Sequence, residues 1–259
     1  DVTVYNFGDM AISSTYGEAI GISADADNGS VYVSNSGDLQ VSTQSTSTYV
    51  GYYYYAAAGA TGIQAFGDLD VTVVNSGALT VSTDDGSAVG IDAAAGYVSV
   101  SNAGSIMATT SGEGAFSVGI RTESGYTTSI TNSGSIDAAG DNAWAIVTYA
   151  EGTTITNSAT GKIFGAIWTT AWSNTEDSLT NDGKWYVGDI NGTYFGGGSD
   201  SIVNNSAGKI FMDDSYISMG YSEGSSNSFL NNGKLYANGD NVIDMGGSAS
   251  VFTNNGSSI

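Results

Sequence analysis

Apolar and polar residues alternate in short runs along the chain. Val31-Tyr-Val-Ser-Asn35 and Leu39-Gln-Val41 place an apolar side chain at every second position, as do Val71-Thr-Val-Val-Asn75 and Leu79-Thr-Val81. Period-two alternation over four to six residues is the signal of a strand with one buried face. The runs are rich in Val, Ile and Thr, which suit a pleated surface. No run carries a 3.6-residue apolar stripe with caps, so no helix of useful length is predicted. Turn-forming Asn, Ser and Gly separate the runs.

The runs are copies of one another. Val2-Thr-Val-Tyr-Asn6-Phe-Gly8, Val98-Ser-Val-Ser-Asn102-Ala-Gly104 and Thr128-Ser-Ile-Thr-Asn132-Ser-Gly134 repeat the pattern of Val31 to Gly37. Later copies keep its skeleton, as in Leu179-Thr-Asn181-Asp-Gly183 and Phe229-Leu-Asn231-Asn-Gly233. An anchor Asn falls at Asn6, Asn35, Asn75, Asn102, Asn132, Asn157, Asn181, Asn204, Asn231 and Asn254, at intervals of 23 to 40 residues. Between anchors lies an Ala-x-Gly-Ile-x-Ala element, seen at Ala19 to Ile22, Ala60 to Ile63 and Ala88 to Ile91.

Three short strands per repeat at this spacing describe an all-β solenoid, since one repeat cannot bury its own apolar face and stacked repeats can. About ten turns form a single domain over residues 1–259. Stacking places Asn on Asn, so the anchor is expected to run as a hydrogen-bonded ladder, with αL or Asx geometry at the corner. The Gly two residues later is expected to allow positive φ and close backbone approach. The complete absence of Pro fits strands that all donate N–H groups to neighbours.

Composition narrows the chemistry. The chain has 5 Lys+Arg against 26 Asp+Glu, a net charge of −21, and neither His nor Cys. Disulfides, imidazole metal sites and His-based catalytic relays are excluded. Scarce cations argue against nucleic acid and against an anionic membrane surface.

The pattern V-x-V-x-N-S-G-x-I-x-A followed by A-x-G-I-x-A resembles the passenger domains of bacterial autotransporters (type V secretion). That resemblance covers nearly the whole chain. It implies a right-handed parallel β-helix at the bacterial cell surface, anchored to the outer membrane by a C-terminal barrel. No barrel-like strand series is present in this sequence, so the chain reads as a passenger fragment. The resemblance implies a cell-surface adhesin that binds a host receptor or glycan, or associates with its own copies. A non-binding stalk and a β-helix glycan hydrolase are the alternatives.

Several residue groups are candidates for function. The longest interval, between Asn35 and Asn75, contains Tyr49, Tyr52, Tyr53, Tyr54 and Tyr55, a loop-borne aromatic patch suited to glycan or protein contact. Trp144, Trp168, Trp172 and Trp185, with Phe164, Tyr186 and Tyr194, are expected to stack, chiefly as core packing. Lys162, Lys184, Lys209 and Lys234 share one repeat position and are expected to form an exposed column paired with nearby carboxylates. Asp25 and Asp27, Asp84 and Asp85, and Asp213 and Asp214 are the adjacent acid pairs that glycoside hydrolysis would draw on. No catalytic residue, metal ligand set or cofactor is assigned, and the chain is not read as an enzyme. The acidic surface allows loose divalent cation binding, such as calcium. The stretches at Asp200 and Asp240 only faintly match a calcium-binding repeat.

Overall fold

A computed structural model describes residues 1–44, 59–170, 176–188, 191–220 and 224–258. Its described residues form strands and turns with no helix. Parallel strands stack as a β-helix of about nine turns. Each turn contributes three strands, the first turn being Val2–Asn6, Met10–Ser14 and Ala19–Ala26.

The middle strands of the turns make a separate ten-stranded sheet, from Met10–Ser14 to Ser257–Ser258. The first and third strands merge into a 17-stranded sheet. The merger occurs because two third strands run straight on into the next first strand, at Ala88–Asn102 and Phe116–Asn132.

Register follows residue identity. Val31 sits on Val71, Val33 on Val73 and Asn35 on Asn75. In the second sheet Ile106 sits on Ile136, which sits on Ile163. The inward residues form one continuous core, with Ile63, Ile91, Ile120, Ile146 and Ile167 all fully buried. Each buried side chain of this size contributes about 1.5–3 kcal/mol.

The anchor ladder is present throughout. Each Asn amide donates from Nδ2 to Oδ1 of the Asn one turn on, from Asn6 to Asn254, at 2.6–2.9 Å. In the first turns the same amide also donates to the carbonyl of the Gly two residues later, as Asn35 does to Gly37 at 3.0 Å. The corner geometry differs from expectation in one respect. None of the anchors has positive φ, which among the described non-glycine residues belongs to Asn28 and Asp214. The neighbouring Gly is required by crowding instead: a Cβ on Gly134 would lie 1.8 Å from the Gly104 carbonyl oxygen. Stacked turns at strand spacing leave no room for it.

A second ladder runs four residues before the anchor in the later turns. The Thr153 N–H donates to Asp177 Oδ1 at 2.7 Å, and the Asp177 N–H to Asp200 Oδ1 at 3.0 Å. The Asp200 N–H donates to Asn227 Oδ1 at 2.8 Å, and the Asn227 N–H to Ser250 Oγ at 3.0 Å. The same column holds Val2, Val31, Val71 and Val98 in the early turns and Thr128 in between.

Asp177 and Asp200 are each only 1% exposed. Asp177 Oδ2 accepts a 2.6 Å bond from the Thr169 hydroxyl, whereas Asp200 Oδ2 is buried with no partner. Burial raises the Asp200 carboxyl to about 7, helped by the nearby Asp177 and Glu176 charges and opposed by the Asp177 N–H. Burial raises Asp177 as well, against the hydroxyl and backbone donors around it. Gly220, at φ +61°, is held beside this carboxyl, where a Cβ would meet the Asn227 amide, Asp200 Oδ2 and the Gly196 carbonyl at 3.0–3.2 Å.

Candidate functional site

The second sheet carries the most individual outer surface. Strand alternation turns Ile163, Trp185, Ile210 and Leu235 inward and their immediate neighbours outward. On one side of each inward residue stands a lysine: Lys162 pairs with Lys184, Lys184 with Lys209, and Lys209 with Lys234. On the other side stands an aromatic ring: Phe164, Tyr186, Phe211 and Tyr236.

The four rings form a ladder with centroids 4.7, 4.5 and 4.7 Å apart and planes within 8° of parallel. These spacings are close to the strand spacing, so the backbone itself sets the stack. The rings are half-buried against one another and present their outer parts to solvent.

Among the described residues these lysines have no carboxylate partner, contrary to expectation. The ion pair found among the described residues is Arg121 to Asp92, on another face. Arg121 donates to Asp92 from Nε at 2.8 Å and from Nη2 at 2.5 Å. Lys184 and Lys209 have lysines on both sides, Lys162 and Lys234 end the run against Ser135 and Ser257, and the next outward column is aromatic. Four ammonium groups in adjacent turns repel one another.

The column changes charge along the molecule. Met10 pairs with Leu39 and Leu39 with Leu79, so the residues just before them, Asp9, Asp38 and Ala78, precede the lysines in one line. The Asp38 N–H donates to Asp9 Oδ1 at 3.0 Å and the Ala78 N–H to Asp38 Oδ1 at 3.1 Å, which fixes that line. Ser105 and Ser135 occupy the middle, and Ser135 pairs with Lys162. The column therefore reads acidic, neutral, then basic, and closes on Ser257, which pairs with Lys234. The parallel ring column begins with Ala11, Gln40, Thr80 and Met107. Asp137 stands between Met107 and Phe164, and its carboxyl is raised by burial.

Comparison of the chain with protein-family models, with curated proteins and with solved structures finds no match. The functional reading therefore stands on the residues themselves.

The other candidates fall in several places. Tyr49, Tyr52, Tyr53, Tyr54 and Tyr55 lie outside the described residues, as does Trp172. Trp185 is core, fully buried, with its indole N–H on the Gly165 carbonyl at 3.2 Å. Trp144 and Trp168 instead pack on the outer face of the third strands, with ring centroids 5.8 Å apart. Phe164 and Tyr186 belong to the outward ladder, so the expected core stack is divided between inside and outside by strand alternation.

Asp25 and Asp27 line a shallow groove of about 260 Å³ with Asp68, Glu123 and Phe66. Asp68 already accepts the Asn28 N–H at 2.8 Å. Asp84 and Asp85 are exposed at a turn. Asp213 and Asp214 are exposed and accept the Asn238 amide at 2.6 Å and the Asp240 N–H at 2.7 Å. Among the described residues no group of three or more acids is arranged to hold a metal ion.

The aligned Asp9–Asp38 and lysine column could have been found from sequence, because each member directly precedes an inward Met, Leu, Ile or Trp. The Asp177–Asp200 ladder also had a signal, a fixed offset of four residues before the anchor Asn.

Proposed function

We propose that the chain is a passenger segment of a bacterial autotransporter that acts as a cell-surface adhesin, making contacts along its side. The single observation that supports this reading is the lysine–aromatic strip on the second sheet. It is a continuous outward surface with four cations that no carboxylate neutralises among the described residues. Such a strip suits contact with an anionic or complementary surface, where specificity comes from aligned charges and affinity from aromatic area. The rigid solenoid holds these groups at fixed spacing, which lowers the entropy lost on contact. The receptor is a host surface molecule or glycan, or another copy of the chain. The acidic remainder of the surface discourages nonspecific association between rods.

One alternative draws on a specific feature. The groove at Asp25 and Asp27 offers carboxylates on one wall, which a glycan hydrolase requires.

The test uses fluorescent beads coated with the protein, scored for adhesion to epithelial cells and to one another. Wild-type beads are expected to adhere or clump, and Lys184→Glu with Lys209→Glu to reduce this several-fold. Deletion of residues 48–56 measures the separate contribution of the Tyr segment. Beads that neither adhere nor clump would leave a structural stalk as the better reading. Release of reducing ends from a neutral glycan, abolished by Asp25→Asn, would favour the hydrolase.

A further inference from the structure

The charge reversal along one column identifies an occupant for the strip. We infer that the partner is a second copy of this chain, lying antiparallel with second sheet against second sheet. This rests on the reading of the strip as a contact surface and names what it contacts.

The argument is geometric. A two-fold axis lying in the interface along the strand direction reverses the order of turns. It leaves each column facing itself. With the axis at Ser135, the column Asp9, Asp38, Ala78, Ser105, Ser135, Lys162, Lys184, Lys209, Lys234 is read against its own reverse, and its tenth member, Ser257, extends past the partner's Asp9. Lys209 and Lys234 of each copy come over Asp38 and Asp9 of the other. The two ends of the interface are equivalent, as an isologous contact requires.

The ring column obeys the same operation. Phe211 and Tyr236 of one copy come over Gln40 and Ala11 of the other, and Phe164 over Met107. Large rings thus meet small or flexible side chains, with no ring-on-ring clash. The two Asp137 carboxylates approach at the centre, with Lys162 of the opposite copy one turn away. A copy running parallel would bring the basic halves together and the acidic halves together, so the charges select the antiparallel arrangement. Asp9 and Asp38 each use Oδ1 on a backbone N–H, leaving Oδ2 to meet an ammonium.

A charge-swap mixture tests this. Wild-type protein in a sedimentation experiment at low salt is expected to show a mass twice the 26.3 kDa of the chain. A Lys209→Glu/Lys234→Glu chain alone is expected to stay monomeric, as is an Asp9→Lys/Asp38→Lys chain. Their equimolar mixture is expected to recover the dimer, because each mutated end then meets its complement. Circular dichroism and a melting curve check that both variants fold. If either does not, Lys209→Gln/Lys234→Gln is expected to weaken the dimer at least tenfold.

A wild-type chain that remains monomeric overturns the inference, as does a mixture that fails to recover the dimer. Retention of a monomeric wild type on a sulfated polysaccharide, lost on lysine reversal, would assign the strip to an anionic polymer instead. The outcomes separate from those of the functional reading. A monomer whose beads still adhere to cells defeats only the antiparallel pairing. A dimer whose beads neither adhere nor clump defeats only the adhesin.

Discussion

The first four turns and the last five close the same corner by different means. Four residues before the anchor Asn, the early turns place Val2, Val31, Val71 and Val98 against the core. The later turns place Thr153, Asp177, Asp200, Asn227 and Ser250 there, linked turn to turn by backbone N–H bonds to side-chain oxygens. The exchange accompanies a general shortening of the repeats. Anchors are 27 to 40 residues apart in the early turns and 23 to 27 in the later ones.

Longer turns leave backbone to fill the corner. The Val2 N–H, for example, finds the Ser30 carbonyl at 2.9 Å. In the shorter turns the third strand shrinks to pieces such as Thr193–Phe195, and a side-chain oxygen supplies the missing acceptor. A backbone N–H buried without an acceptor is costly, so the polar column is the cheaper arrangement there. The lesson is that a solenoid column is specified by what the neighbouring backbone leaves unsatisfied, and not by hydrophobicity alone.

The largest expected effect lies in what the two halves share. Asn75→Ala and Asn157→Ala each remove a ladder member, leaving one buried amide without an acceptor and another without a donor. Each is expected to cost about 4 kcal/mol, with little difference between halves. Denaturant unfolding of the two variants checks this, and a cost confined to one half would break the equivalence.

The second effect belongs to the later half alone. Asp200 holds its proton more tightly folded than unfolded, with a carboxyl raised to about 7 from 3.8. Folded protein therefore binds more protons between those values, and stability falls as pH rises through that window, then levels off above it. The shift corresponds to at most about 4 kcal/mol. Surface carboxylates also repel over this range, so the control is Asp200→Asn, which retains an acceptor for the Asp177 N–H. The variant is expected to lose part of the slope, with Asp177 supplying the rest, and to be more stable than wild type at pH 8. Melting curves from pH 4 to 8 provide the measurement.

A smaller effect comes from forcing later chemistry into the early half. Val71→Asp puts a carboxylate where the backbone needs no acceptor, at an expected cost of about 3 kcal/mol at neutral pH. A cost that vanishes would mean the early corner contains an unmet donor. The smallest effect is on the outer surface. Tyr186→Thr removes two ring contacts from the ladder and is expected to cost about 1 kcal/mol, by chemical unfolding.

Much of this architecture is legible in the amino-acid sequence. Identical residues recurring at the anchor made the register certain, and alternation assigned inside and outside for residues such as Ile163 and Trp185. The lysine column is legible too, whereas its continuation into Asp9 and Asp38 is marked only by the inward residue that follows each, because early and late repeats share few identities at that position. Partners were the harder matter. Whether Lys184 meets a carboxylate depends on the column beside it, which becomes visible only when turns of unequal length are placed in register. The burial of Asp200 is not legible in its stretch, which is rich in Gly and Ser. Its burial follows from the shortened third strand, a property of two turns together.

Hydrogen exchange resolved along the chain tests the contrast between halves most directly. Protection of residues 176–220, corrected for intrinsic rates, is predicted to fall between pH 5 and pH 8 relative to residues 71–132. Asp200→Asn is predicted to shrink that difference, the remainder belonging to Asp177. Equal loss of protection in both halves, or an unchanged difference in the variant, would contradict the account.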